Sequence, residues 1–428
     1  MLSPSKMPLQ RANPCLRQNP RFMELVSDEQ VKKVVREAAS ELRCSHLVVV
    51  IPDATRTAPV PLFFEALSES LAGRVQRLTF LVALGTHPLM SPEAVDRLMG
   101  MTGEERASRF PHVEVVNHRW DQPETFTTVG HLSEKETAEL SGGRLRLQVP
   151  IRINKLLLEA DKVVIVGPVF PHEVAGFSGG HKYLFPGVGG ADVINFTHWL
   201  GALVTSHATI GIRDTAVRKA IELAAGRVGC ETRAFCLVTS KDGLHGVFWG
   251  EVRKAWEQAC ELSSKIHIKW FDKPFKKVLS VIPERYDDLW TGAKGMYKVE
   301  PVVAEGGEVV LLAPHISEFS YTHGKVLDQI GYHCRDYFLA QWDRFKGLPW
   351  GVIAHSTHLR GDGTFLNGVE KPRVGVTLAS AIPPERCRSM NLKYQDPATI
   401  DLDEWRDRES EGILFVPNAG ETLYRLRS

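Results

Sequence analysis

Apolar residues in this chain fall into short dense runs, set apart by longer stretches of helical periodicity. His46–Ile51, Leu78–Leu84 and Lys162–Gly167 are nearly continuous apolar runs of strand length, the pattern of strands buried on both faces. Between such runs the period lengthens to that of a helix. It predicts helices over Asp28–Leu42, with Ser27 or Asp28 as N-cap, over Leu62–Ala72, and over Pro92–Met99 behind Ser91. Further on it predicts a strand at Val113–Asn117, helices at Ala191–Leu203 and Thr215–Ala225, a strand at Ala234–Thr239 and a helix at Val252–Lys265. Around Trp270–Phe275 the pattern restarts, with strands at Lys276–Ile282 and Glu308–Ala313. The alternation predicts two α/β domains with mostly parallel sheets and an active-site cleft between them. The expected division is 1–272 and 273–428, with the last residues free to pack back on the first domain. The first 25 residues, proline-rich and basic, are expected to be an irregular arm.

Composition narrows the class. The chain has 428 residues, more than one small core usually holds. Net charge is +1, so no global field favours nucleic acid or an anionic membrane. Seven cysteines are scattered without a CxxC pair, which argues for reduced thiols and a cytoplasmic setting over a disulfide scaffold or zinc site. No apolar run has the length of a bilayer span, and the N-terminal stretch lacks the apolar segment of a signal peptide.

Three apolar runs end in reactive side chains. The first leads into Asp53-Ala54-Thr55-Arg56, the second into Gly85-Thr86-His87, and the third into Pro168-Val169-Phe170-Pro171-His172. In open α/β sheets, ligands bind beyond the carboxyl ends of the strands, so Asp53, Arg56, His87 and His172 are expected on one rim. A lone histidine at a strand end more often satisfies backbone groups; three converging strand ends favour a site. Arg56 could clamp a carboxylate bidentately or simply pair with Asp53. Asp53 could orient a histidine. His87 and His172 are the natural general bases. The run Gly176-Phe177-Ser178-Gly179-Gly180-His181-Lys182 resembles a phosphate cradle, but Tyr183 stands where a nucleoside triphosphatase needs Ser or Thr. Lys182 could bind a phosphate or hold a cofactor covalently. His198, on an expected helix, is either a packed residue or a metal ligand.

These motifs together resemble the nickel-pincer nucleotide-dependent lactate racemase family. The match rests on Asp53-x-Thr55-Arg56, on Gly85-Thr86-His87, and on His172-x3-Gly176-Phe177-Ser178-Gly179-Gly180-x-Lys182 with His198. Lys294-Gly295-Met296 looks like that family's second-domain motif, so the resemblance spans most of the chain. The resemblance implies a pyridinium mononucleotide that pinches one nickel between two sulfurs and a ring carbon. It implies a thioamide bond to Lys182, His198 as the fourth nickel ligand, and phosphate contacts from Ser178, Gly179 and Gly180. His87 and His172 would alternately take the substrate hydroxyl proton while the α-hydrogen moves as hydride to the cofactor. Arg56 and Lys294 would hold the carboxylate, and Asp53 would support the histidine and arginine. Cofactor-synthesis enzymes would be needed as partners.

The chain departs from the lactate enzymes at two expected substrate contacts. Thr291 stands where they carry glutamine, and Phe338 stands near the place of their tryptophan. The shorter Thr291 leaves room, and Ser320–His323 and His355–His358 offer polar groups nearby in sequence. A 2-hydroxy acid larger than lactate, such as the sugar acid gluconate, is therefore expected as substrate. The competing readings are a dehydrogenase or lyase acting on a hydroxy acid, and a non-catalytic nickel or nucleotide carrier.

Overall fold

A computed structural model describes residues 24–427; the expected N-terminal arm lies almost wholly outside them. The first sheet has six strands in the order Gly243–Glu251, Glu231–Ser240, Lys162–Pro168, Cys44–Pro52, Val75–Ala83, Val113–Asn117. All neighbours are parallel except the edge strand Gly243–Glu251, which folds back antiparallel. The alternating faces of Cys44–Pro52 build two different cores. Val48 and Val50 pack with the helices Ala191–Val204, Ala216–Ala225 and Val252–His267. Leu47, Val49 and Ile51 pack under Asp28–Glu41 and Val60–Leu71. Burial on both faces is why these strands read as unbroken apolar runs.

Helix ends agree with their local chemistry. Ser27 caps Asp28–Glu41 in a reciprocal capping box with Gln30, and Ser91 caps Pro92–Met99. Among the elements beyond the sequence expectations are the edge strand Gly243–Glu251 and an antiparallel ladder of Phe126–Leu132 with Val149–Asn154. The ladder is half-exposed and broken by a register shift at Thr128–Gly130, which weakens its alternation.

The second sheet is wholly parallel, in the order Lys393–Tyr394, Gly375–Ser380, Val303–Ala313, Phe275–Val281, Ile413–Val416. One face joins the core shared with the first sheet, and Leu279, Val310, Leu312 and Ala379 form a smaller cluster on the other. The chain then returns. Leu423–Leu426 pairs in parallel with Ile268–Phe271, directly after the helix Val252–His267.

Both sheets run outward in one direction and then reverse about an inner strand. In the first, the reversal falls between Cys44–Pro52 and Lys162–Pro168; in the second, between Phe275–Val281 and Ile413–Val416. Loops diverge at such a point and leave a crevice at the strands' carboxyl ends.

Candidate active site at the facing strand ends

Asp53 and Arg56 leave the end of Cys44–Pro52, and His172 lies just past Lys162–Pro168, so they flank the first crevice. Asp53 is buried and accepts from His87 Nδ1 at 2.6 Å. It also accepts from the Thr55 hydroxyl at 2.6 Å and the Thr55 N–H at 3.1 Å. Burial raises the Asp53 carboxyl, but the bonds from His87 and Thr55 outweigh it and hold the group below its ordinary value. His87 is half-exposed, with its side chain 48% accessible. Its Nδ1–H is committed to Asp53, so Nε2 is left as the free nitrogen. Arg56 does not pair with Asp53. Its guanidinium lies 5.6 Å over the Phe170 ring, and among the described residues it has no ion-pair partner, leaving its fork available.

His172 is the contrasting histidine. It is buried in a two-residue ladder of Pro171–His172 with Gly176–Phe177. Burial pushes its imidazole well below the usual value, and Lys182, Arg56 and His198 add to the effect. Gly176, at φ 82°, makes the tight return possible: any side chain there would collide with the Ile212 carbonyl.

The glycine loop is clamped from beneath. Arg218, almost fully buried, donates to the Phe177 carbonyl at 2.5 Å and the Gly179 carbonyl at 3.2 Å, and stacks 4.1 Å over the Trp256 ring. Trp256 Nε1–H donates to the Ser178 carbonyl at 2.7 Å. The Ser178 hydroxyl is engaged within the loop. Its proton goes to the Pro168 carbonyl at 3.0 Å, and its oxygen accepts the Phe170 N–H at 3.0 Å, so Ser178 braces the loop. Gly179 and Gly180 are buried in left-handed backbone beside Val169 and Trp256.

Lys182 follows the clamped loop. Burial, reinforced by Arg56, pushes its amine down to about 7, which leaves a large unprotonated fraction at neutral pH. His198 sits on Ala191–Val204, where its Nδ1–H donates to the Ile194 carbonyl at 2.7 Å and leaves Nε2 with a lone pair. Burial lowers His198, and Lys182 contributes, so the two groups are electrostatic neighbours. His181 turns elsewhere, to Glu222 at 2.5 Å.

The second sheet closes the site with Lys294, pushed down to about 8 by burial and by Arg56, its Nζ 4.5 Å over the Tyr286 ring. The Thr291 and Phe338 side chains are both engaged by the protein itself. The Thr291 hydroxyl is held by Asp288, whose carboxylate caps the short helix Leu289–Gly292. Phe338 is fully buried among Tyr337, Phe345 and His333, an aromatic core position.

The second sheet contributes instead residues that sequence reasoning passed over or named only in general terms. Lys298 Nζ reaches back to the Pro171 carbonyl at 2.8 Å. His358, 4% exposed, has neither ring nitrogen hydrogen-bonded among the described residues, and Glu173 and His198 face it. Glu173 itself is adjacent to His172. The signal for these was weak: Lys298 lies four residues after Lys294, and His358 three after His355.

No helix among the described residues is long and apolar enough to cross a membrane. Nor is there, among them, a group of three or more His, Cys, Asp or Glu side chains that could hold a metal.

A family model described as the lactate racemase N-terminal domain matches residues 23–211. The lactate racemase of Thermoanaerobacterium thermosaccharolyticum is 25% identical over 280 residues, 63% of this chain and 59% of that protein. The lactate racemase of Lactiplantibacillus plantarum is 24% identical over 285 residues, 63% of this chain and 60% of that protein. The matched region thus spans about three fifths of these curated relatives. A crystal structure of a protein from Thermotoga maritima is 32% identical, with a TM-score of 0.82, over 94% of this chain and 99% of that one. The lactate racemase apoprotein structure from T. thermosaccharolyticum shares the fold at a TM-score of 0.69 and 19% identity, over 92% of this chain and 93% of that one.

Proposed function

Because the chain belongs to the lactate racemase family, we propose that it inverts C2 of a 2-hydroxy acid, using a nickel-pincer nucleotide tethered to Lys182. The observation that carries this reading is the pair of dissimilar histidines beside an activated amine. His87 is open and carboxylate-bound, His172 is buried, and Lys182 is lowered to about 7.

The donor set fits the cofactor. A metal that arrives inside an organic ligand needs one more donor from the protein, and His198 Nε2 supplies a single imidazole. A covalent tether needs an unprotonated amine, which burial provides at Lys182. When bound, the group supplies the acceptor and donor for the substrate's α-hydride. The chain's own residues do the rest. Arg56 and Lys294 grip the substrate carboxylate. For one enantiomer His87 Nε2 takes the hydroxyl proton and His172 gives a proton to the inverted product's oxygen; for the other the roles exchange, and solvent exchange resets the pair. Asp53 keeps the His87 proton on Nδ1 and steadies the imidazolium.

The substrate we propose is larger and more hydroxylated than lactate, a sugar acid such as gluconate. The support is the helix Trp350–Arg360, which packs on the helix of His198. It brings His358, with both ring nitrogens unpaired among the described residues, and His355, with Nε2 likewise unpaired and its ring stacked 3.9 Å from Trp290. Buried imidazoles without partners suit distal hydroxyls, and a site built that way discriminates against substrates lacking them. The test is holo-protein from a cofactor-competent host, screened on 2-hydroxy acids by chiral chromatography. Inversion of at least one, with higher kcat/KM for gluconate than for lactate, is expected. A preference for lactate ends the sugar-acid assignment, and no inversion of any acid ends the racemase reading.

A further inference from the structure

The scheme above leaves one carboxylate unused. Glu173 follows His172 directly, and its side chain is 22% exposed. Its Oε2 lies 3.4 Å from His172 Nδ1. The Val174 N–H donates a hydrogen bond to that same nitrogen at 3.1 Å. These two neighbours demand opposite tautomers. An N–H donor needs a lone pair on Nδ1, which puts the ring proton on Nε2 and leaves Nε2 unable to accept. A carboxylate needs the proton on Nδ1, which frees the Nε2 lone pair.

The surroundings favour the carboxylate. The charged and titratable groups that face His172 are Glu173, Lys182, Arg56 and His198, and Glu173 alone among them is anionic. The Glu173 carboxyl lies below the usual carboxylate range: burial raises it, and cationic neighbours that include Lys298 offset the burial. Lys298 also fixes the strand, since its Nζ donates to the Pro171 carbonyl at 2.8 Å and to the Glu421 carbonyl at 3.4 Å. The end of the chain and the His172 strand are thus tied to one ammonium. Elsewhere in the site the same device is complete: Asp53 holds His87 Nδ1 at 2.6 Å.

We infer that Glu173 is the positioning residue for His172, holding its ring proton on Nδ1 so that Nε2 can act as the base. The inference rests on the two-base reading. When Nε2 takes the substrate's hydroxyl proton, the ring becomes an imidazolium with a proton on each nitrogen. Glu173 accepts from Nδ1–H throughout and keeps its charge, and the proton on Nε2 is the one given up when His172 next acts as the acid.

The test is ¹⁵N NMR of the full-length chain labelled at histidine, with His172→Gln identifying the His172 resonances. The wild-type ring should carry its proton on Nδ1. Glu173→Leu leaves Val174 N–H as the sole neighbour at Nδ1 and should move the proton to Nε2. Glu173→Gln keeps the shape and so guards against misfolding; it should shift the population the same way by a smaller amount. Unchanged Nδ1 protonation in both variants overturns the assignment. In the holoenzyme, Glu173→Gln should lower kcat about 10- to 100-fold with KM little changed, the usual effect of removing such a partner, and Glu173→Asp should restore most of it. A wild-type kcat in Glu173→Gln overturns it as well. The tautomer is read without turnover, so a proton that moves in a protein inactive on every 2-hydroxy acid refutes the racemase reading and leaves the Glu173–His172 pairing standing.

Discussion

The two parallel sheets share a topology and differ in what they hold at their reversal points. In the first, Asp53, Arg56 and His172 flank the crevice beyond Cys44–Pro52 and Lys162–Pro168, with His87, Glu173, Lys182 and His198 beside them. In the second, the segments that follow Phe275–Val281 and Ile413–Val416 pack on one another. Tyr286 and Lys294 pack against Gly420, and Lys298 spends its protons on backbone carbonyls. Topology supplies a concavity in both; the side chains decide whether it becomes a reactive site or a lid. The first sheet is expected to carry the chemistry, the second to grip substrate and close the cleft.

The sharpest way to break this comparison is Lys182→Ala. Holo-protein should exceed its sequence mass by one nucleotide-sized adduct, and the variant should lack both adduct and turnover. An adduct that persists places the tether elsewhere. Next in size, His172→Ala and His87→Ala should each lower turnover about 10²- to 10⁴-fold with the adduct retained. Nickel retained after chelator washing should fall in His198→Ala and not in His181→Ala, whose ring is bonded to Glu222.

Substitutions on the second sheet should act more on binding than on chemistry. Lys294→Met should raise KM about 10- to 100-fold, the worth of a hydrogen bond to a charged group, and change kcat less. If kcat instead falls as far as in His172→Ala, the division of labour between the sheets is wrong. The pH dependence sharpens the point. Lys294 is lowered to about 8, so its ammonium is present below that pH and lost above it. KM for a carboxylate substrate should therefore rise as pH passes about 8, and Lys294→Arg, which stays charged, should abolish that rise. The smallest effect expected is on stability. Gly176→Ala forces a side chain into left-handed backbone against Ile212 and should cost about 1–3 kcal/mol, read as a lower Tm with the fold intact.

The same contrast governs what could be read in advance. Cys44–Pro52 and Lys162–Pro168 were legible because a strand buried on both faces writes its burial into consecutive residues. Asp53, Arg56, His87, His172, Lys182 and His198 were legible because they lie in compact motifs at the ends of such strands or just beyond them. The edge strand Gly243–Glu251 and the ladder of Phe126–Leu132 with Val149–Asn154 were not, since their pairing depends on partners and on breaks in register. For Thr291 and Phe338 the sequence left the side chain's surroundings open for a related reason. Alignment to a motif gives a position along the chain, while the Asp288 cap and the aromatic cluster around Phe345 decide which way a side chain faces.

Local periodicity and motif spacing thus determined, by themselves, the α/β class, the principal strands and the reactive rim of the first sheet. Each is encoded within a few residues, at the range over which burial and backbone geometry leave a repeating mark. Only the tertiary structure decided that Lys298 grips Pro171 across 127 residues, that Arg56 and His198 face His172, and that His358 lies buried with no hydrogen-bond partner among the described residues. Those contacts arise where two sheets and a returning C-terminus meet, and no periodicity along one segment records a neighbour on another.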